Sequence, residues 1–326
     1  VLVLGLSTFG QNPGACLLRD GKLVAFAEEE RFLRIKGAFG RFPGRAVAYC
    51  LREARAGLDD VASIAVGWNA NKYRAFMPLF FARTWFARGR HAGGRAHGTI
   101  VKELLDQRPG RVRHGIELGL RAAGLAGRVP PVEFYDHHLA HAASAHYASG
   151  FEESAVLVMD GSGEERATSF FAGRGLELTE RGHIPVPDSL GWFYAAVTAY
   201  LGFTPYEEEG FTMGLAPFGA PSAELDEKLD RVLRLGRDGD YRVDPAYTLL
   251  GEHSTSEHFG DRMAELFGPP RLPGQPLQQR HKDLALAAQA RLEAAALRLV
   301  RRATDGGRLR QLCLAGGVAL NCKMNG

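Results

Sequence analysis

Ala155-Val156-Leu157-Val158-Met159-Asp160-Gly161-Ser162-Gly163-Glu164 is the stretch on which the fold turns. Its first five residues form a Val/Leu-rich run bounded by turn-forming residues, so residues 155–159 read as a buried strand. Asp160 closes that strand, and residues 160–164 read as a Gly-rich turn. Asp-Gly-Ser-Gly alone is compatible with an ordinary turn. What gives the aspartate weight is a second segment upstream.

That segment is Asp136-His137-His138-Leu139-Ala140-His141-Ala142-Ala143. If it is helical, His137 and His141 share one face, with Cβ atoms roughly 5–6 Å apart. Two imidazole nitrogens at that spacing can reach one metal ion at about 2.1 Å each. Asp160, at the carboxyl end of a strand, is a candidate third ligand. Such a site would bind a phosphate or polarise a carbonyl, which points to transfer chemistry. Taken alone, two histidines at this spacing are more often helix-face residues than ligands. His138 and His146 read as bystanders.

Working outward, the same order of elements occurs twice. Residues 1–6 read as a strand, 7–14 as a turn, 15–18 as a strand, Asp20-Gly21 as a hairpin signal and 22–27 as a third strand. A helix over about 44–56 follows, with Ala46, Val47, Cys50 and Leu51 on its apolar face, and then a strand over 61–66. From residue 155 the pattern repeats as strand, Gly-rich turn, strand 167–172, Gly173-Arg174-Gly175 turn and strand 176–182. A helix over about 189–201, a long helix over about 284–302 and a strand over 311–314 follow.

Two such copies predict an α/β fold of the actin/hexokinase/Hsp70-like bilobed superfold, with two ribonuclease-H-like lobes and helical insertions. In that layout the turn after the first strand of each lobe offers backbone N–H groups to phosphates. Ala315-Gly316-Gly317-Val318 reads as a third such turn, opening a helix after a strand. Tight turning alone also accounts for glycines at these places. The domain reading is a first lobe over 1–150, with a helical insertion at about 69–125 and the histidine helix. A second lobe covers 151–326, with an irregular insertion at about 237–279. The missing initiator Met and the final Asn325-Gly326 turn signal suggest that both termini are cut and that the second lobe is C-terminally incomplete.

The 326 residues are 45% hydrophobic and 24% charged, which is usual for a globular protein. No run approaches the roughly 20 apolar residues of a membrane span, so no membrane partner is expected. A net charge of +3 does not imply nucleic acid, and no aromatic-interleaved basic pattern suggests RNA stacking. The Arg-rich stretch from Lys72 to Arg128 reads first as a solvated helical face, and second as a rim that attracts an anionic substrate. Cys16, Cys50, Cys313 and Cys322 lack metal-type spacing and read as reduced core thiols in a cytoplasmic protein.

Taken together, the chain resembles the O-carbamoyltransferase family of antibiotic and nodulation-factor tailoring. The residues that carry the resemblance are Ala27-Glu28-Glu29-Glu30-Arg31-Phe32 with Lys36, the 136–141 segment, Asp160-Gly161, and Ser189-Leu190-Gly191. Met213-Gly214-Leu215-Ala216-Pro217-Phe218-Gly219 and Ala315-Gly316-Gly317-Val318-Ala319-Leu320-Asn321-Cys322 complete the ordered set. The match is to the N-terminal transferase domain, truncated. Three departures stand out: Gly10-Gln11-Asn12 where the family usually carries a His-Asp pair, Gly37 where a His tends to follow the Lys, and Phe211-Thr212 where a Lys commonly precedes Met-Gly-Leu-Ala by two residues.

The resemblance implies transfer of a carbamoyl group from carbamoyl-adenylate to a hydroxyl of a small-molecule acceptor, natural-product or sugar-like. It implies a metal, iron(II) or another divalent ion, on His137, His141 and Asp160, with a further Asp ligand beyond this chain. It assigns Lys36 and Asn321 to catalysis, and Ser7, Gly161, Ser162, Gly163, Gly316, Gly317 and Val318 to the carbamoyl-adenylate. ATP and carbamoyl phosphate would be used by an adenylate-forming C-terminal domain absent from this chain. The competing readings are a tRNA threonylcarbamoyl-transferase-like enzyme and a non-catalytic nucleotide-binding module. Oligomerisation is left open. Glu28, Glu29 and Glu30 read as structural, paired with Arg31 and Arg34 or solvated.

Overall fold

The computed structural model describes residues 1–8, 10–88, 106–248 and 258–326, with backbone only for 80–88. The chain divides into two compact units, Val1–Phe76 with Ile100–Ala140 and Met77–Thr99 with His141–Gly326.

Unit 1 opens with an antiparallel meander of β1 (Leu2–Ser7), β2 (Gly14–Arg19) and β3 (Lys22–Glu28). Asp20 and Gly21 both take positive φ, which closes the second hairpin as the Asp-Gly pair predicts. Then come α1 (Glu30–Leu33), α2 (Gly44–Glu53), β4 (Val61–Val66), α3 (Ala70–Arg88), of which only the part up to Phe76 belongs to this unit, α4 (Pro109–Ala122) and β5 (Val132–Phe134). The sheet order is β3-β2-β1-β4-β5, with β4 parallel to β1 and β5 parallel to β4. Ala46, Val47, Cys50 and Leu51 are buried, and α2 lies on β2 and β3. Leu4, Leu17 and Ile64 are fully buried beneath it, each contributing about 1.5–3 kcal/mol of apolar burial.

No side chain caps α2 from its N-cap position. Instead the buried Glu29 carboxylate accepts from the N–H of Arg45 at 3.2 Å and of Ala46 at 2.8 Å. A carboxylate is favoured there by the helix dipole and by the orphan N–H groups. Glu29 is therefore structural, but through a helix terminus rather than an arginine. Glu28 does pair with Arg31, at 3.0 Å.

The division between the units falls inside α5 (His137–Ser149). Unit 2 continues with β6 (Glu153–Gly163), β7 (Arg166–Arg174), β8 (Glu177–Pro185), α6 (Leu190–Tyr200), α7 (Glu209–Leu215) and α8 (Ala223–Val232). After these come β9 (Leu233–Leu235), β10 (Tyr241–Val243), α9 (Asp261–Phe267), α10 (Gln279–Ala303), β11 (Leu312–Ala315) and α11 (Cys322–Asn325). The four-stranded sheet runs β11-β6-β7-β8, with β6, β7 and β8 antiparallel and β11 parallel to β6. Its core joins Leu157, Met159, Phe170, Phe193, Val197, Leu284, Ala288 and Leu292.

Each sheet thus carries the same order: three antiparallel strands, with a fourth parallel to the first. Two ribonuclease-H-like units in tandem are the repeat that defines the actin/hexokinase/Hsp70-like class, as expected. Three local expectations change. Residues 160–163 belong to β6 rather than to a turn, and the turn is Glu164–Glu165. The helix expected from 284 begins at Gln279 because His281 Nδ1 accepts the Gln278 N–H at 2.9 Å, a cap placed five residues upstream. After β11 the chain makes a 3₁₀ turn, Gly317–Leu320, and only then the four-residue α11.

Of the cysteines, Cys50 and Cys313 are buried and Cys16 is half-buried, whereas Cys322 is exposed because it opens the short α11. Burial pushes the Cys50 thiol up to about 11. No helix among the described residues is long and apolar enough to cross a membrane. The described parts of the two expected insertions hold α3, α4, β10 and α9; residues 89–105 and 249–257 lie outside the described residues.

Candidate metal centre

The segment 137–141 is the first turn of α5, so His137 and His141 share one face. One ligand atom from each of His137, His141 and Asp160 lies within 4.8 Å of the other two. His141 Nε2 is 3.1 Å from Asp160 Oδ2. Two ligands on adjacent positions of one ion, each about 2.1 Å from it, stand about 3 Å apart, so this pair already has a ligand-to-ligand spacing. All three residues are half-buried. The donor set of two imidazoles and a carboxylate suits a divalent first-row ion.

Each ligand is oriented by a neighbour. The Gly67 carbonyl oxygen lies 2.9 Å from His137 Nδ1 and accepts its proton. That assigns the Nδ1–H tautomer and leaves Nε2 as the nitrogen with a lone pair. The Trp68 ring stands edge-on to the same imidazole, with centroids 5.5 Å apart. Asp136, just before α5, accepts from Asn69 Nδ2 at 2.9 Å and pairs with Lys72. These contacts tie the start of α5 to the segment that follows β4.

Asp160 sits where the β6–β7 ladder is interrupted. Met159 pairs with Thr168 and Gly163 with Arg166, so four residues of β6 advance against two of β7. The excess bulges and re-aims the side chain. Asp160 Oδ1 accepts from the N–H of Gly161 at 2.7 Å and of Gly317 at 3.3 Å, leaving Oδ2 toward His141. The glycines at 161 and 317, expected to face a nucleotide, thus direct their N–H groups to the aspartate. Gly316 has φ +88°, and a Cβ there would lie 2.3 Å from the Met159 carbonyl oxygen. Only glycine lets that turn approach the strand.

The remaining expected site residues are placed as follows. Ser7 ends β1 and pairs with Gly14. Ser162 lies in the bulge, and Gly163 is buried beside it. Val318 is buried in the 3₁₀ turn. Lys36 is exposed in unit 1, in the turn after α1. That turn is pinned, because Gly37 N–H donates to Glu30 at 2.6 Å and the Gly37 carbonyl accepts from Asn12 N–H at 3.0 Å. Two of the places that depart from the resembled pattern, 10–12 and 37, are therefore direct neighbours.

Asn321 is buried. Its Oδ1 accepts from Gln289 Nε2 at 3.0 Å and from Met324 N–H at 2.9 Å, and its Nδ2 donates to Gln289 Oε1 at 2.9 Å. Tyr194 donates to the same Gln289 oxygen at 2.8 Å, and burial raises the tyrosine's pKa. Sequence reasoning gave no role to Gly67, Trp68 or Ser189. The available signal was position for Gly67 and Trp68, which directly follow the β4 strand, and the Ser189-Leu190-Gly191 motif for Ser189.

The family model described as Carbamoyltransferase N-terminus matches residues 2–326. An uncharacterized protein, sll1178, of Synechocystis is 39% identical over 99% of this chain and 52% of its own length. Nodulation protein NolNO of Sinorhizobium fredii is 32% identical over 98% of this chain and 42% of its own. The chain spans about half the length of the curated relatives it matches. Among solved structures, the ROK hexokinase from Thermus thermophilus aligns over 98% of this chain and 83% of its own, at 16% identity and a TM-score of 0.36.

Proposed function

This chain belongs to the carbamoyltransferase N-terminal family, and from that premise we propose that it transfers a carbamoyl group from carbamoyl-adenylate to a hydroxyl of a small-molecule acceptor. The observation that carries the reading is the convergence of His137, His141 and Asp160. In this reading the three hold a divalent ion, iron(II) by preference. When bound, the ion supplies Lewis-acid polarisation of a carbonyl or phosphoryl oxygen.

The acceptor oxygen attacks the carbamoyl carbon. The bond from that carbon to the phosphate oxygen breaks, AMP leaves with the electron pair, and the hydroxyl proton is released. Negative charge grows on the carbonyl oxygen and then on the departing phosphate, so fixed donors and cations lower the barrier. Lys36 is assigned to the donor phosphate as a mobile point charge. Ser7, Ser162, Gly163, Gly316 and Val318 are assigned to the rest of the carbamoyl-adenylate. Gly67 holds the His137 ring, and the N–H groups of Gly161 and Gly317 hold the Asp160 carboxylate. Asn321 acts through the Gln289 pair that steadies the turn after β11.

The test supplies carbamoyl-adenylate and iron(II) to the protein and follows AMP release with and without a panel of polyhydroxylated acceptors. Acceptor-dependent AMP release, accompanied by a carbamoylated product, supports the reading. Release that ignores the acceptor and is unchanged in Lys36→Ala and His141→Ala counts against it.

A further inference from the structure

We propose that Ser189 is a positioning residue for Asp160, and that its hydroxyl holds the bulge that sets the direction of the carboxylate. The inference rests on the metal reading above, because metal binding is its readout.

At residues 160–162 the β6–β7 register shifts, and a donor from outside the sheet reaches the carbonyl groups of Asp160 and Gly161. Ser189 provides it: its Oγ lies 2.7 Å from the Gly161 carbonyl oxygen and 3.1 Å from that of Asp160. The side chain is wholly buried, so the hydroxyl has no water to turn to. It has one proton to give, shared between these two carbonyls, and it accepts the Trp192 N–H at 3.1 Å.

The cap explains only half of this. A serine before an apolar helix is an ordinary N-cap, and acceptance from Trp192 is that role. The two carbonyl contacts point the other way, out of α6 and onto the bulge. Gly191 permits the approach, since a Cβ there would stand 2.7 Å from Gly161 N. The effect then passes along one short path. The hydroxyl fixes the 160–161 peptide, Gly161 N–H donates to Asp160 Oδ1 at 2.7 Å, and Oδ2 is left 3.1 Å from His141 Nε2.

Capping and positioning separate by substitution. Ser189→Thr keeps the hydroxyl. Ser189→Gly loses it but nearly keeps the cap, because glycine at an N-cap costs little. Ser189→Ala loses both. Cobalt(II) is titrated into the metal-stripped protein and each variant, following the visible d–d bands, with melting temperature recorded in parallel. Wild type and Ser189→Thr are expected to share affinity and spectrum. Ser189→Gly and Ser189→Ala are expected to bind about 10–100-fold more weakly, with altered bands, as loss of a ligand-orienting contact does. The two should lose similar affinity although Ser189→Ala melts lower.

Wild-type affinity and spectrum in Ser189→Gly would overturn the positioning role and leave the metal reading standing. An affinity loss that simply follows melting temperature across the series also overturns it. If wild type itself binds no cobalt, the metal reading fails and takes this inference with it.

Discussion

His137 Nδ1 lies 2.9 Å from the carbonyl oxygen of Gly67, and this one bond decides which ring nitrogen a ligand meets. A carbonyl accepts only, so Nδ1 carries the proton and Nε2 keeps the lone pair. The histidine is thereby held in the tautomer that presents Nε2 as an acceptor, with its ring braced against Trp68.

From this geometry His137→Ala and His141→Ala should each weaken cobalt(II) or iron(II) binding by more than about 100-fold, beyond the usual cost of an outer-shell change. Calorimetric titration of metal-stripped protein measures it. Unchanged affinity in either variant would mean that the three side chains do not share an ion. His146→Ala should leave metal binding intact, because that buried ring is bonded to Ser154 and the Gly175 carbonyl instead.

Gly191→Ala should destabilise the fold. Its Cβ would come within 2.7 Å of Gly161 N and 2.8 Å of Gly161 Cα, both backbone atoms. Overpacking of this kind costs about 1–3 kcal/mol. Urea unfolding followed by circular dichroism gives the number, and a midpoint equal to wild type would show that α6 can move away from the bulge without loss.

Asn321→Ala should cost about 1–3 kcal/mol by leaving the buried Gln289 amide short of partners. The reciprocal bonds between the two side chains make them a coupled pair. A double-mutant cycle with Gln289→Ala should therefore show a coupling clearly different from zero. Additive losses would mean that the amides act independently.

His281 predicts an acid-sensitive contribution to stability. Burial first, then Arg280 and Arg271, holds its pKa below the ordinary 6.5. The native state therefore resists a proton that the unfolded chain accepts near that pH. Stability is present above the unfolded value and is lost as pH falls from it toward the folded value. His281→Gln cannot titrate, and its side-chain oxygen can still take the Gln278 N–H. Between about pH 7.5 and about pH 5.5 the urea midpoint of wild type should fall more steeply than that of the variant. Parallel slopes would refute this.

Much of the fold was legible along the chain. The alternation of Leu2, Leu4 and Leu6, the Asp20-Gly21 turn and the spacing of Ala46, Val47, Cys50 and Leu51 are local patterns. A period of two or 3.6 residues specifies a strand or helix wherever the chain later goes. The repeat of those elements, and the helical register of His137 and His141, were readable for the same reason.

Tertiary structure decided the rest, because it depends on groups far apart in sequence. Asp160 was visible as a strand-end carboxylate, but its aim comes from Gly317, Ser189 and an interrupted pairing with β7, none of which its neighbours announce. Asn321 carried only the role lent by the resemblance, because nothing nearby in sequence reveals Gln289, 32 positions away, across a buried contact. Glu29 had adjacent arginines to suggest an ion pair, yet the N-terminus of α2 offered two N–H groups that needed an acceptor out of water. In each case local composition set what a residue could bond to, and packing set which partner it met.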